Sequence, residues 1–346
     1  MKRARWSTRL LGLALGFGLT AQAGEKFILR VGHFPNITHA QAVIAHGLSR
    51  QTNGWFESRL GPGVEVQWFV YNAGPTAMEA ILARTIDFTY VGPNPAINAH
   101  IKSRGEEVRI VCGACSGGAA LVVQPGEKIK TDADFKGRKV GTPQFGNTQD
   151  VAARAWLQSN GFRVTMTGGD VLVVPTANPD QLTLFQKGDL DAVWTVEPWV
   201  SRLALEAQGK VYLEESSLWN DTGGRYVTTH LVSSVRFLKE HPDLLRKWIE
   251  AQVELTDWIQ KHSFEAKAVF NEEIKAETTK ALAEQLLDRA WSKIELTDDP
   301  VRSSLLKSAE AAHRIGFLRE KPDLSRIYDL NLLNEVLREK GRPEVK

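Results

Sequence analysis

Small polar residues and a histidine follow a short apolar strand near the start of the chain. Residues 27–31 read Phe-Ile-Leu-Arg-Val, a pattern typical of a buried strand, and Asn36, Thr38 and His39 come shortly after it. Thr38 with Gln41 three positions later is a capping-box pattern, which predicts a helix that begins at Thr38. A strand, a turn and a helix start leave unpaired backbone N–H groups at the positive end of the helix dipole. This corner is therefore suited to a small anion.

The same kind of corner recurs along the chain. Asn94 and Asn178 each precede a proline, an arrangement typical of a capped helix start, and Asn147 is expected to cap the helix that follows residues 141–146. Each cap alone is an ordinary structural feature. Several of them at the ends of strands favour an anion-binding site that is built from helix N-termini.

Two stretches of the chain repeat one order of elements. Residues 66–97 and 171–199 both run strand, Ala-x-Pro turn, helix, strand and second proline turn, and in both the turn proline lies 12 residues before an aspartate. With the strand and helix that precede each stretch, this pattern predicts two βαβαβ halves, at about 27–100 and 138–203. We therefore predict an α/β fold with two parallel-sheet lobes, of the type II periplasmic-binding-protein kind in its two-lobed layout, and a ligand cleft at the carboxyl ends of the strands.

The connections between these halves predict the domain organisation. A glycine pair at Gly117 and Gly118 is expected either to let the backbone approach a ligand or to carry the chain across to the second lobe. Helical patterns fill the chain after about residue 235. The predicted division is 24–117 for the first part of lobe I, 118–224 for lobe II, and 225–346 for the return to lobe I with the C-terminal helices.

The first residues are typical of a secretory signal peptide. Residues 1–23 contain four basic side chains, an apolar run from 10 to 19 that is too short to span a membrane, and an Ala-Gln-Ala cleavage pattern that ends at Ala23. This pattern predicts export to the periplasm and a soluble mature protein. The whole chain has a net charge of only +2, so neither nucleic acid nor a membrane surface is expected as a partner.

Two cysteines, Cys112 and Cys115, are the only ones in the chain. Residues 109–112 have the pattern of a strand, in which residues three apart point to opposite faces. A redox pair would need a helix start to lower the thiolate pKa. Free or structural thiols are therefore preferred to a functional pair, and two cysteines are too few for a zinc site.

Motifs for catalysis, for a metal or for a cofactor were not found, so no catalytic residue, metal ligand or cofactor is predicted. Glu197, which precedes Pro198, is expected at the corner of the second lobe, where its carboxylate would accept a hydrogen bond from a ligand or pair with an arginine. His39 is a candidate ligand contact. An apolar wall for the site is expected from aromatic residues near the corners: Phe34, Phe145, Trp194 and Trp199.

These corners together resemble a known family. The signal peptide, residues 33–40, 73–75, 92–95 and 141–148, and the Glu-Pro-Trp at 197–199 are similar to the nitrate/sulfonate/taurine family of ABC-transporter substrate-binding proteins, over nearly the whole mature chain. The resemblance implies a ligand trapped by hinge closure between two lobes and delivered to a permease and ATPase complex. It also implies that backbone N–H groups and small polar side chains bind the oxyanion, and that Glu197 would hold the amine of a taurine-like ligand.

The sequence therefore predicts a monomeric, non-enzymatic periplasmic protein that captures a small anionic solute, an aliphatic sulfonate or taurine. The same fold with nitrate, bicarbonate or a pyrimidine vitamin precursor stays open, and so, less favoured, does an exported enzyme. Stacking between Trp194 and Trp199 would favour the pyrimidine. With the residues that the resemblance adds, the predicted ligand-binding set is Phe34, Asn36, Thr38, His39, Gly92, Pro93, Asn94, Ser116, Gly117, Gln144, Asn147, Thr148, Glu197 and Trp199.

Overall fold

Two β-sheets with helices on both faces make up the part of the chain that the structure, a computed structural model, describes: residues 26–51, 54–126, 128–166 and 168–346. The predicted signal peptide lies outside these residues. The strands are β1 Phe27–His33, β2 Val64–Val70, β3 Phe88–Val91, β4 Val108–Gly117, β5 Ala119–Val123, β6 Lys139–Thr142, β7 Leu172–Pro175, β8 Ala192–Val196, β9 Lys210–Glu214, β10 Val227–Ser234 and β11 Ile294–Leu296. The helices are α1 Ala40–Gln51, α2 Trp55–Leu60, α3 Gly74–Leu82, α4 Pro93–Lys102, α5 Thr148–Ser159, α6 Asn178–Lys187, α7 Trp199–Glu206, α8 Val235–Glu240, α9 Pro242–Lys261, α10 Ser263–Thr278, α11 Glu284–Trp291, α12 Arg302–Arg314 and α13 Asn331–Glu339.

The first sheet, with its helices, forms lobe I. Its strand order is β11-β4-β10-β3-β1-β2, in which β1 pairs in parallel with β2 and β3. Strand β10 lies between β3 and β4 and is antiparallel to both. Helices α1, α2, α9, α10 and α13 bury apolar side chains on one face of the sheet, and α3, α4 and α12 do so on the other.

The second sheet, with its helices, forms lobe II. Its order is β7-β6-β8-β5-β9, with β6 parallel to β7 and β8, and β5 antiparallel to β8 and β9. In both lobes the first strand of the repeat lies between the second and third, so the repeated sequence pattern corresponds to one repeated strand order. The predicted α/β fold with two sheet lobes is confirmed.

The two lobes are joined where β4 continues into β5 and where the chain returns ahead of β10. Gly117 and Gly118 lie at the first connection with φ of +85° and +82°, a region that favours glycine. A Cβ on Gly118 would come within 2.7 Å of the Ile294 side chain. The Tyr226 hydroxyl accepts the Ala119 N–H at 2.9 Å, so the two connections are adjacent and bonded to each other.

Three of the predicted helix caps are wrong, and one is confirmed. A 3-10 turn, Ile37–His39, precedes α1, and the Gln41 amide donates to the Ala114 carbonyl at 2.7 Å instead of returning to the helix start. Asn94 and Asn178 lie inside the first turns of α4 and α6, because the preceding Gly92 and Ala177 take the cap positions. The exception is Asn147, whose Oδ1 accepts the Asp150 N–H at 2.9 Å.

The two cysteines are free and fully buried in β4. Burial raises the pKa of the Cys115 thiol to about 12 and that of Cys112 well above its usual value, so both thiols are protonated at neutral pH. Among the described residues, no helix combines the length and the apolar character that crossing a membrane requires.

Candidate functional site

A cleft of about 40 Å³ lies between the two lobes at the carboxyl ends of their parallel strands. Each strand of the repeat in both lobes ends at this cleft, as the fold rule for parallel sheets predicts. The lining residues are Phe34, Asn36, Thr38, His39, Asn72, Ala73, Gly74, Gly92, Pro95 and Thr228 from lobe I, and Pro143, Asn147, Thr148, Gln149, Asn178 and Val196 from lobe II.

Helix N-termini from both lobes converge on the cleft. In lobe I these are the turn ahead of α1 and the starts of α3 and α4, and in lobe II they are the starts of α5 and α6. First-turn N–H groups have no acceptor within their own helix, and each helix start carries a partial positive charge. Among the described residues, no Asp, Glu, Lys or Arg lines the cleft, so its positive partial charge comes from these helix starts.

The start of α5 is the most strongly organised of these corners. Asp150, fully buried, accepts from the Thr142 hydroxyl at 2.8 Å and from the Gly146 N–H at 3.0 Å, and it pairs with Arg154 at 3.2 Å. These bonds fix the turn between β6 and α5, while Asn147 caps the helix. The backbone N–H of Thr148, the first residue of α5, is thus held in place at the cleft before any ligand arrives.

His39 is the one histidine among the described residues that line the cleft. Burial, with the nearby His33, lowers its pKa well below the usual value, so its imidazole is neutral. The Phe34 N–H points at its Nδ1 at 3.4 Å, which places the ring proton on Nε2. His39 therefore presents a neutral N–H donor.

The corner at α4 brings the lobes into close approach. Pro93 and Pro95 carry no N–H, so this helix start offers fewer donors than that of α5. A Cβ on Gly92 would lie 2.5 Å from the Thr148 hydroxyl oxygen and 3.3 Å from the Thr228 carbonyl oxygen. A larger residue at position 92 would therefore require the Thr148 side chain to move.

Seven of the 14 predicted ligand-binding residues line the cleft, namely Phe34, Asn36, Thr38, His39, Gly92, Asn147 and Thr148. The other seven do not line it: Pro93, Asn94, Ser116, Gly117, Gln144, Glu197 and Trp199. The Asn94 amide donates to the Ser308 carbonyl at 3.4 Å, and the Ser116 hydroxyl oxygen accepts the Tyr226 N–H at 3.2 Å.

Glu197 binds its own helix instead of facing the cleft. Its carboxylate accepts from the backbone N–H and the hydroxyl of Ser201, at 2.9 and 3.0 Å, and it is 1% exposed. Burial raises its pKa to about 7. Val196, the preceding residue, lines the cleft in its place.

The predicted aromatic wall is only partly present. Trp194 is buried in the lobe II core, where its Nε1 donates to Glu215 at 2.8 Å. The Trp199 Nε1 of lobe II donates to the Asn36 Oδ1 of lobe I at 3.0 Å. Trp199 therefore orients the cleft residue Asn36 without lining the cleft itself. Phe145 is 40% exposed and packs on Phe317. Of the aromatic residues that the sequence suggested, Phe34 lines the cleft.

Sequence reasoning missed several polar lining residues. Asn178 was expected as a helix cap but was left out of the predicted ligand-binding set, although the repeat pairs its position with the turn of lobe I. Asn72 and Gln149 adjoin residues that were singled out. Thr228 lies far along the chain at the start of β10 and carries no local signal, since only the return of the chain to lobe I brings it to the cleft.

Comparisons with known proteins agree with this architecture. A Bacillus subtilis (strain 168) protein named as an aliphatic sulfonates-binding protein is 23% identical over 84% of this chain and 85% of its own. The MOPS-bound alkanesulfonate-binding protein SsuA from Xanthomonas axonopodis pv. citri superposes with a TM-score of 0.70 at 16% identity, over 89% of this chain and 100% of that one. The periplasmic nitrate-binding protein NrtA from Synechocystis PCC 6803 does so with a TM-score of 0.75 at 15% identity, over 91% of this chain and 89% of that one.

The family is shown by a profile match that extends over both lobes. The profile of the NMT1-like family matches residues 22–271, which is well over half of the chain. The chain belongs to the NMT1-like family.

Proposed function

We propose that this protein is a solute-binding protein that captures a small oxyanion, an aliphatic sulfonate, between its two lobes. The observation that carries the proposal is the convergence of helix N-termini and small polar side chains from both lobes on one cleft. An anion that leaves water must be fully hydrogen-bonded. The first-turn N–H groups and the side chains of Asn147, Thr148 and His39 supply donors of that kind on fixed elements.

The chemistry of the cleft favours an anion that carries no proton. Asp, Glu, Lys and Arg are absent from the cleft lining among the described residues. A protonated oxyanion would need a strong acceptor for its own O–H, whereas a sulfonate is fully ionised at neutral pH and only accepts. The cleft, rich in donors and lacking a carboxylate, is complementary to such a group.

The position of Glu197 indicates which group the ligand can carry at the end opposite its anion. Taurine carries an ammonium group, which in a closed cleft would need a carboxylate or several acceptors. Glu197, the residue that the sequence suggested for this role, is engaged with Ser201. We therefore infer a preference for sulfonates with a short uncharged tail over taurine, with the tail against Phe34 and Val196.

Nitrate is the second candidate, because a cleft of about 40 Å³ suits a compact ion. A pyrimidine precursor is not favoured as the ligand, since neither Trp194 nor Trp199, the residues expected to stack on it, lines the cleft. An enzymatic role is not proposed. Similar proteins named above are binding proteins, and His39 is neutral and has no acid–base partner among the described lining residues.

The remaining parts of the proposal concern the protein's place in the cell. We propose export by the signal peptide, 1–23, to the periplasm, action as a monomer, and delivery of the ligand to an ABC-transporter permease and ATPase. Hinge closure would occur between lobe I, 24–117 with 225–346, and lobe II, 118–224, about the two adjacent connections. Ligand binding at the interface of two such lobes would select the closed form.

Isothermal titration calorimetry and thermal denaturation of the purified protein test the proposal. The panel is ethanesulfonate, taurine, nitrate, bicarbonate and a hydroxymethylpyrimidine, each against chloride. A ligand at 100 times its dissociation constant adds about 2.7 kcal/mol to the free energy of unfolding. We expect saturable binding of ethanesulfonate, and weaker binding of taurine. A response to the pyrimidine alone, with none to any oxyanion, would refute the proposal.

A further inference from the structure

A buried cluster of histidine and glutamate side chains lies inside lobe I, behind the cleft. His33 ends β1, His46 lies on α1, and Glu273 and Glu277 occupy one face of α10, four residues apart. The side chains of His33 and Glu277 are 0% and 1% exposed. The ligand atoms of His33, His46 and Glu277 all lie within 4.8 Å of one another.

The nitrogen and oxygen atoms of this cluster lie around a common centre. His33 Nε2 lies 3.2 Å from His46 Nδ1 and 3.0 Å from Glu277 Oε1, and His46 Nδ1 lies 2.8 Å from that same oxygen. Glu273 Oε1 is 3.1 Å from His46 Nδ1 and also accepts from Arg50. Around a tetrahedral zinc ion with bonds of about 2.0–2.1 Å, neighbouring ligand atoms are about 3.3 Å apart. The observed separations are close to that value.

Hydrogen bonds alone do not account well for these contacts. Glu277 Oε1 can only accept, so its contacts with His33 and His46 each require an N–H on the facing nitrogen. These two N–H groups, on His33 Nε2 and His46 Nδ1, would then face each other across 3.2 Å, where neither can accept from the other.

Two further observations fit a cation at the common centre. The second oxygen of Glu277, Oε2, is buried and has no hydrogen-bond partner among the described residues. A metal ion bound by both carboxylate oxygens would satisfy it. The contact of His33 Nδ1 with a backbone carbonyl is the arrangement that leaves Nε2 free as a metal ligand.

We propose that His33, His46 and Glu277 form a structural site for a divalent first-row transition ion, with Zn²⁺ as the ion that suits two imidazoles and a carboxylate, and Glu273 or a water molecule as the fourth ligand. Imidazole ligands select this class of ion over Mg²⁺ and Ca²⁺, which prefer oxygen ligands. The bound ion would join β1, α1 and α10, three elements that are distant along the chain.

The site bears directly on the geometry of the cleft. The Phe34 carbonyl faces His33, and the Phe34 N–H faces His39. One peptide segment thus connects the metal site to the first corner of the cleft, and an ion that fixes His33 would also fix that corner. The proposal itself does not depend on which anion the cleft binds.

Metal analysis of the tag-free protein is the first test. After incubation with ZnCl₂ and gel filtration, we expect one zinc per chain by elemental analysis, none retained from an equal concentration of MgCl₂, and a visible d–d absorption of four-coordinate type after loading with Co²⁺. Glu277→Gln and His46→Gln should each weaken zinc binding more than the 10–100-fold that loss of an outer-shell partner costs. Circular dichroism of each variant verifies its fold.

A matched control is the exposed pair His262 and Glu265, 3.8 Å apart on the surface of the same lobe. His262→Gln with Glu265→Gln should leave zinc binding unchanged. Anomalous scattering at the zinc edge from wild-type crystals should place the ion between His33, His46 and Glu277, and this measurement does not depend on a variant's folding. Absence of bound zinc in the wild type, or an anomalous peak elsewhere, would overturn the proposal and leave the cluster as a protonated ion pair.

Discussion

Replacement of Trp199 by phenylalanine tests whether closure of the lobes depends on one buried hydrogen bond. Trp199 of lobe II donates to Asn36 of lobe I at 3.0 Å, and the two residues are 8% and 6% exposed. Phenylalanine keeps an aromatic ring beside Arg202, whose guanidinium lies 4.7 Å from the indole centroid, but it removes the donor. In the closed form the Asn36 oxygen would then be buried without a partner.

The expected loss of affinity follows from the cost of burying the Asn36 oxygen without a hydrogen-bond donor. A buried acceptor that loses its donor costs about 1–3 kcal/mol, whereas in an open form water would solvate it. The cost therefore falls on closure, and the dissociation constant for the oxyanion should rise by about 5- to 150-fold. Isothermal titration calorimetry with ethanesulfonate or nitrate, whichever the wild type binds, measures this change.

Trp194→Phe is the matched control. Trp194 also donates a buried bond, to Glu215 at 2.8 Å, but both residues belong to lobe II, so the loss is the same in open and closed forms. This variant should lose stability in urea denaturation and retain its affinity. If Trp199→Phe binds like the wild type, or if both variants lose affinity equally, the interlobe bond does not govern closure.

Three further predictions use the same assays. Gly92 has an ordinary backbone φ of −71°, and Gly92→Ala places a Cβ 2.5 Å from a hydroxyl oxygen of the other lobe, so we expect at least a tenfold loss of affinity, about 1.4 kcal/mol, with little change in stability. The control Gly63→Ala, whose Cβ meets no atom within 4 Å, should change neither affinity nor stability. Normal binding by Gly92→Ala would contradict the close approach of the lobes at this residue. Asn147→Ala should cost about 1 kcal/mol of stability and weaken anion binding. The control Ser234→Ala removes a helix cap distant from the cleft and should reduce stability alone. An equal loss of affinity in both variants would show that the α5 corner has no specific part in anion binding. Burial raises the pKa of Glu215 from 4.5 to about 7, so its contribution to stability is complete below pH 4.5 and is lost as the pH rises to about 7. Glu215→Gln should reduce the pH slope of the unfolding free energy between these pH values by up to about 1.4 kcal/mol per pH unit. An unchanged slope would show that Glu215 does not titrate in this range.

The fold could be predicted from the sequence because its signals are local and repeated. Apolar runs mark the strands, prolines and asparagines mark the corners, and the same spacing occurs in both lobes. Since parallel strands place their carboxyl ends at one edge, the repeat also predicted where a cleft would form. Residues in the turns and helix starts that follow the strands, such as Asn36 and Thr148, therefore lie at the cleft.

The residues that could not be predicted depend on the direction of a side chain or on contacts between distant parts of the chain. Glu197 lies at the right corner in sequence, but only the structure shows its carboxylate turned back to Ser201. Trp199 likewise reaches Asn36 across the lobes. His33 is separated by more than 200 residues from Glu277, so no spacing rule could have linked them. Side-chain direction, rather than position along the chain, accounts for these differences.

The late position of β10 in the chain bears on how the protein folds. This strand separates β3 from β4, yet it is synthesised after every strand of lobe II. During synthesis the edges of β3 and β4 remain unpaired until residue 234 has left the ribosome, whereas lobe II already has all of its strands. We therefore expect lobe II to acquire structure first and lobe I to wait for its central strand.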